Sequence, residues 1–210
     1  MNYLYGEKIL ENVPIEKKSN LKLLDFGCGD GTLLKIARSR GYIVRGLELS
    51  EDLLAQSRAS NLNVTSESLS ELLAQDLKFD VITMSSVVEH VGDPEAILNT
   101  ARKLLNPSGV IVLAQASYDG LLPRVFPWGW YGWQPEEHFW HFNPSSVAAL
   151  ALNSGLHVQK IVRDRLPQKR FYFGSVKDLI GRNIASLISW IGYKLNQGDM
   201  VFVYLKKINS

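Results

Sequence analysis

Between Leu23 and Gly31 the chain reads Leu-Leu-Asp-Phe-Gly-Cys-Gly-Asp-Gly, a short apolar run ending in glycines at alternate positions, Gly27, Gly29 and Gly31. Glycines so spaced let the backbone take conformations closed to other residues and approach a ligand closely. A helix starting just after them presents unpaired N–H groups and a positive dipole end, suited to a carboxylate or a phosphate. The plain alternative is a tight turn that holds nothing. Glu48 weighs against that alternative: it stands 17 residues beyond Gly31, at the end of the next apolar run. A carboxylate placed there can accept hydrogen bonds from both hydroxyls of a ribose. Alone it would read as a solvated surface charge; with the glycine turn it points to a nucleoside-containing cofactor. Dinucleotide sites want G-x-G-x-x-G, but Thr32 stands where the last glycine would fall, so an NAD-dependent oxidoreductase is the poorer match. Asp25, just ahead of the turn, suits a cationic ammonium better than a pyrophosphate.

Three of the four histidines, His90, His138 and His141, are candidate general bases. His90 closely follows a strongly apolar run, and its neighbour Glu89 either orients it or opens a helix. Glu136, Glu137, His138 and His141 form a polar group inside an aromatic stretch. With one cysteine in the chain and no further strong donor beside them, no metal site is expected; closing over an acceptor and ordinary loop packing are the competing readings. Trp128, Trp130, Tyr131 and Trp133 are interleaved with Gly129 and Gly132 and flanked by Pro127 and Pro135. Aromatics usually pack a core, but this composition reads as a loop, a lid or platform that binds an apolar or ring-containing acceptor. Residues 160–182 hold seven basic side chains against Asp164 and Asp178. Beside the amphipathic stripe that follows, they suit peripheral contact of 160–195 with a membrane surface, or an anionic substrate; the plainer reading is that the stripe covers the sheet.

These residues need elements to position them. Leu21–Phe26, Tyr42–Leu49, Asn63–Ser66, Phe79–Ser85 and Val110–Ala114 read as strands, and helical patterns lie between them. Ser50 is the expected cap of one helix, Asp93-Pro94-Glu95 opens another that runs to Leu105, and Asn143-Pro144-Ser145 starts a third through Leu152. Such alternation argues for right-handed βαβ units and a parallel sheet covered on both faces. Leu156–Val162 and Met200–Leu205 add a terminal strand pair. Between them Val176, Leu179, Ile180, Ile184, Leu187, Ile188, Ile191 and Leu195 recur at helical spacing. The expected fold is an α/β, Rossmann-like, doubly wound seven-stranded sheet, mostly parallel. A single domain over 1–210 is expected, with insertions at 116–143 and 164–198. The 210 residues can bury a sufficient core. The lone Cys28 excludes an intrachain disulfide and suits a reducing, cytoplasmic setting. A net charge of +2 is too balanced for a dedicated nucleic-acid binder, and no apolar run reaches the roughly 18 residues of a membrane span.

Leu23–Gly31 resembles the first motif of class I S-adenosylmethionine-dependent methyltransferases. The similarity extends through Gly46-Leu47-Glu48-Leu49-Ser50, Phe79-Asp80-Val81-Ile82, Glu89-His90-Val91 and Leu104–Val110. Glu137–Gly155 is similar to a late signature of the subgroup that includes ubiquinone-type O-methyltransferases. The resemblance covers about residues 20–163. It implies S-adenosyl-L-methionine as cofactor, methyl transfer to a small-molecule or lipid-linked acceptor at oxygen, and an antiparallel last strand. By the same resemblance Asp25, Gly27 and Gly29 hold the amino-acid end of the cofactor, Glu48 its ribose, and Leu49 lies under the adenine. Cys28 and Gly31 belong to the motif, Cys28 as a small filler. Ser66 and Glu67 contact the adenine edge, and Ser85 and Ser86 face the transferred methyl. Relatives of the ubiquinone type carry an acid three residues before the Glu-His pair, completing a metal-binding set. Ser86 stands there instead, so that set is incomplete. The Asn/Asp-Pro-Pro-aromatic motif of exocyclic-amine methylation is replaced by Ser85-Ser86-Val87-Val88. A non-catalytic cofactor-binding scaffold of the same fold is the alternative.

Overall fold

A run of consecutive buried residues marks the centre of the molecule. Leu23, Leu24 and Asp25 of strand β1 (Lys22–Phe26) are all buried, as are Val81–Met84 of β4 (Phe79–Ser85). Strands so flanked on both faces are the inner strands of a parallel sheet. The computed structural model describes residues 3–15, 20–127, 130, 132–165 and 176–208.

The other strands are β2 (Ile43–Leu47), β3 (Val64–Thr65), β5 (Leu105–Ala116), β6 (Leu156–Asp164) and β7 (Met200–Lys207). They form one seven-stranded sheet in the order β3-β2-β1-β4-β5-β7-β6. Neighbours from β3 to β5 pair parallel, and β7 runs antiparallel between β5 and β6, as expected. β5 begins earlier than its sequence suggests. Leu105 pairs with Phe79, and Asn106–Gly109 is absorbed as an irregularity before Val110 pairs with Val81.

One face of the sheet carries α1 (Tyr3–Glu11), α2 (Thr32–Ser39) and α3 (Glu51–Ala59), with α8 (Val176–Lys194) farther along. The opposite face carries α4 (Leu69–Ala74), α5 (Pro94–Leu104) and α7 (Pro144–Asn153). Alternate residues of each strand divide between the layers: Val110 and Val112 join the first core, Ile111 and Leu113 the second. Local chemistry sets the helix starts. Asp93 caps α5 through Ala96 N–H at 2.9 Å with Pro94 behind it, and Asn143 and Ser146 form a reciprocal cap on α7. α4 follows the same rule at Ser68 and Glu71. The short α6 (Leu121–Val125) lies in the aromatic insertion and packs on α8.

Candidate functional site

The strand order reverses between β1 and β4, the place where open α/β sheets leave a crevice beyond their strand ends. There a cleft of about 550 Å³ opens, walled by residues at the ends of β1 to β4, among them Phe26, Gly27, Glu48, Leu49, Ser66, Glu67, Ser86 and His90. Four elements thus bring together residues spread over more than sixty positions.

The three glycines divide their labour. Gly27, at φ 73°, donates its N–H to Leu47 O at 2.9 Å, and a Cβ there would fall 2.6 Å from Val87 Cγ2. Gly31, at φ 72°, caps α2; a Cβ would meet Leu62 Cδ1 at 2.3 Å and Ser57 Oγ at 3.1 Å. Gly31 therefore answers to the packing against Ser57 of α3 and Leu62, and it is not among the residues lining the cleft. A Cβ built on Gly29, at φ 55°, meets nothing within 4 Å. Cys28 is the small filler that the motif suggests, and its side chain contributes nothing to the cleft. Its thiol is buried against Gly46, its N–H bonds Leu47 O, and burial pushes its pKa up to about 12, so the side chain faces the core and not the cleft.

Glu48 reaches back across the turn. Its Oε2 accepts from Gly29 N–H at 2.8 Å, while Oε1 accepts from Leu49 and Ser50 N–H at 2.9 and 2.8 Å. The carboxylate, not the Ser50 hydroxyl, thus satisfies backbone donors at the start of α3, and Ser50 makes no side-chain cap bond. A carboxylate has about four acceptor positions, so one remains on Oε2. Leu49 is 78% exposed on the cleft wall, a large apolar side chain ready to be covered. Asp25 is fully buried; Thr83 Oγ1 donates to its Oδ1 at 2.6 Å, and Oδ2 has no hydrogen-bond partner. Burial pushes its pKa up to about 7, a cost that a nearby cation would relieve.

At the end of β3, Glu67 is already engaged. Thr65 Oγ1 and Gln75 Nε2 each donate to it at 2.6 Å, Arg45 pairs with it, and these bonds hold its carboxyl down at about 2. Ser66 lines the cleft beside it. After β4, Ser86 adopts φ 53°, unusual for a residue with a Cβ, and its N–H bonds Ala114 O at 2.8 Å. This turn brings Ser86 onto the cleft wall, whereas Ser85 is not part of it.

The insertion is pinned to the 3₁₀ turn Val88–His90. Phe139 N–H donates to Glu89 O at 2.8 Å, His90 Nδ1 bonds Glu137 O at 2.9 Å, and Trp140 Nε1 donates to Val91 O at 2.9 Å. His90 lines the cleft. His138 lies edge-on to it at 4.7 Å with Nδ1 bonded to Gly132 O, and burial lowers its pKa. His141 is farther, 6.1 Å from His138, and bonds Trp133 O through Nε2. Of the expected lid residues, Trp128 and Tyr131 lie outside the described residues. Trp130 is a correction: it is 4% exposed within the core, and its Nε1 donates to Asp199 at 3.3 Å. Trp133 is half-buried, packed edge-on to Trp130 and His141, with Nε1 bonded to Pro127 O. The interleaved glycines mislead here, because Gly132 is present to let the Trp130 ring lie against its backbone, 2.4 Å from where a Cβ would stand.

Sequence reasoning passed over Thr83, Val87 and the inward turn of Glu89. Glu89 is 4% exposed, and burial raises its pKa. No local pattern marks Thr83 or Val87, whose roles arise only across strands. In the basic stretch Arg163 pairs with Asp119 at 2.7 Å, and Asp164, buried, pairs with Lys8. Lys169 and Arg170 lie outside the described residues. Among the described residues no helix is long and apolar enough to cross a membrane.

The geometry can be set beside known proteins. A methyltransferase domain family matches residues 1–161. The ubiquinone biosynthesis O-methyltransferase of Pseudomonas syringae pv. tomato is 27% identical over 175 residues, 70% of this chain and 71% of that protein. The protein of the same name from Coxiella burnetii is 33% identical over 104 residues, which span 45% of this chain and only 44% of that relative. Among solved structures, an S-adenosylmethionine-dependent methyltransferase from Archaeoglobus fulgidus superposes with a TM-score of 0.67 at 20% identity, covering 98% of this chain and 93% of that one. The magnesium protoporphyrin IX methyltransferase of Synechocystis, solved with bound S-adenosylhomocysteine, gives 0.64 at 14% identity, covering 98% and 83%. Sequence and architecture therefore agree, and the chain belongs to the methyltransferase domain family as an S-adenosylmethionine-dependent methyltransferase.

Proposed function

We propose that the methyl group goes to a hydroxyl oxygen of a small-molecule acceptor, free or lipid-linked, seated between the cleft and the histidines. The observation that carries this reading is His90. Its Nδ1 faces the Glu137 carbonyl at 2.9 Å; a carbonyl only accepts, so in the neutral ring the proton sits on Nδ1 and Nε2 is left bare. A bare imidazole nitrogen on the wall of the cofactor cleft suits a nucleophile that must lose a proton. The names of the Pseudomonas and Coxiella relatives point to oxygen as well.

The cleft suits the cofactor through an exposed Leu49 and spare acceptor capacity on Glu48. Next to it the turn leaves open space where a Cβ on Gly29 would stand, and the buried Asp25 has an oxygen without a partner. We assign Gly27 and Gly29 to the amino-acid end and Glu48 to the ribose. Leu49 lies against the adenine, Ser66 and Glu67 at its edge, and Ser86 beside the methyl. The cofactor, when bound, supplies a methyl on a positively charged sulfur. Glu48 accepts from one ribose hydroxyl as it stands and from both only if Gly29 N–H is released. Holding both reactants in line contributes about 7–11 kcal/mol. His90 Nε2 would take the hydroxyl proton of the acceptor as it is methylated; such assistance is worth on the order of 10²–10⁴-fold.

The test is an acceptor panel of phenols, alcohols and amines scored by mass spectrometry and S-adenosylhomocysteine release. Hydroxyl methylation, lowered on the order of 10²-fold or more in His90→Asn with S-adenosylhomocysteine binding retained, supports the reading. Methylation of amines alone would overturn it.

A further inference from the structure

Three side chains distant in sequence converge behind the cleft wall. Glu89 and His90 from the 3₁₀ turn and His138 from the insertion each offer a ligand atom, all within 4.8 Å of one another. Both imidazoles are oriented by backbone carbonyls, His90 by Glu137 O and His138 by Gly132 O, each at 2.9 Å from Nδ1. When neutral, each ring therefore carries its proton on Nδ1 and leaves Nε2 bare. Ligating histidines are held in this way, the second nitrogen donating to a carbonyl or carboxylate. The third member is a buried carboxylate whose Oε2 has no hydrogen-bond partner, an arrangement that is costly unless something positive meets it. A cavity of about 10 Å³ beside Glu89, His138 and His141 leaves room for one small particle.

We propose that Glu89, His90 and His138 together hold one divalent cation of the zinc class, leaving coordination positions for water or an acceptor oxygen. Two imidazoles and one carboxylate form a set suited to zinc and neighbouring transition ions rather than to magnesium or calcium. The set is not the one the resemblance implies. The acid that would precede the Glu-His pair is Ser86, and the missing ligand comes instead from His138, about fifty residues later, on the insertion. A cation so held ties the insertion to the end of β4. Bound there, it would lower the pKa of a coordinated hydroxyl. A cation on His90 Nε2 occupies the lone pair that otherwise accepts the hydroxyl proton, so the ion would then replace His90 as the group that activates the acceptor. This use of the ion rests on the O-methylation reading; its binding does not.

The experiment uses the full chain, stripped with chelator and titrated with Co²⁺, whose ligand-field absorption reports coordination, and with Zn²⁺ by calorimetry. One equivalent is expected to bind. Glu89→Gln and His138→Gln should each lower affinity at least about tenfold, while His157→Ala, an exposed histidine on β6, should leave it unchanged. Retained S-adenosylhomocysteine binding certifies that each variant is folded. No stoichiometric Co²⁺ binding by the unmodified chain, or binding untouched by both site substitutions, overturns the proposal. Methyl transfer is scored separately: cobalt bound by these residues with no hydroxyl acceptor methylated retains the site and rejects the function. Transfer without any bound metal does the reverse.

Discussion

Alanine placed in turn at Gly29 and Gly31 should separate ligand binding from folding within a single turn. Both residues have left-handed backbones, φ 55° and 72°, and a Cβ in that conformation costs roughly 1–2 kcal/mol. At Gly31 the new methyl also meets Leu62 Cδ1 at 2.3 Å and Ser57 Oγ at 3.1 Å. Leu62 is buried, and Ser57 Oγ cannot retreat without loosening its 2.8 Å bond to Gly29 O. Overpacking of this kind adds about 1–3 kcal/mol, so Gly31→Ala should lose roughly 2–5 kcal/mol in all. A Cβ built on Gly29 meets no atom within 4 Å, so only the backbone cost applies. Its methyl, however, would stand in open space over the turn proposed to carry the amino-acid end of the cofactor. Urea denaturation and calorimetry with S-adenosylhomocysteine measure the two effects. Gly29→Ala is expected to stay within about 2 kcal/mol of the parent and to bind at least about tenfold more weakly, a difference of about 1.4 kcal/mol. Parental affinity in a folded Gly29→Ala protein would refute the placement of the cofactor over this turn.

Asp25 predicts a pH effect with a definite sign. Burial raises its folded pKa from 3.8 to about 7, so between those values the folded chain binds more protons than the unfolded one. Stability should therefore fall as pH rises from about 4 through about 7 and then level off. Asp25→Asn should flatten that slope in urea titrations of the ligand-free protein, and an unchanged slope would assign it to other groups. Trp130→Ala should cost about 3–5 kcal/mol as a core truncation, lowering Tm by roughly 6–20 °C for a chain of this size. A loss of acceptor binding without loss of Tm would restore the lid reading. Helix α8 exposes Ile184, Leu187 and Ile191 along one side, continued by Leu195 just beyond its end, with Lys194 over the rings of Trp190 and Tyr193. Co-flotation with anionic-lipid vesicles is expected at low salt, weakening as salt rises; its absence at low salt ends the membrane reading.

The comparison of sequence and structure turns on whether a feature is local. Short-range rules were sufficient for β4, whose expected and observed limits coincide at Phe79–Ser85, and for α5 and α7, where Asp93 and Asn143 cap the chain with proline behind them. The small α4 falls where a helix is expected between two strands, but its limits are not legible although Ser68 and Glu71 carry the capping signature, because six residues give too little periodicity. β3 is only two residues, Val64–Thr65, shorter than the expected Asn63–Ser66, and pairs only with β2.

For the candidate site, the sequence by itself determined that a glycine turn and an acid one strand later would meet beyond the sheet, since βαβ connections have one handedness and strand ends share one edge. It could not show that a Cβ on Gly29 would meet open space while one on Gly31 would meet Leu62 and Ser57 of α3, because the two glycines differ only in what stands above them. Nor could it turn Glu89 inward beside His138, or sink Trp130 into the core while Leu49 stays exposed. Residue types and spacing fix what a short segment can do. Which of those capacities is used depends on neighbours brought from elsewhere in the chain, and only packing decides who the neighbours are.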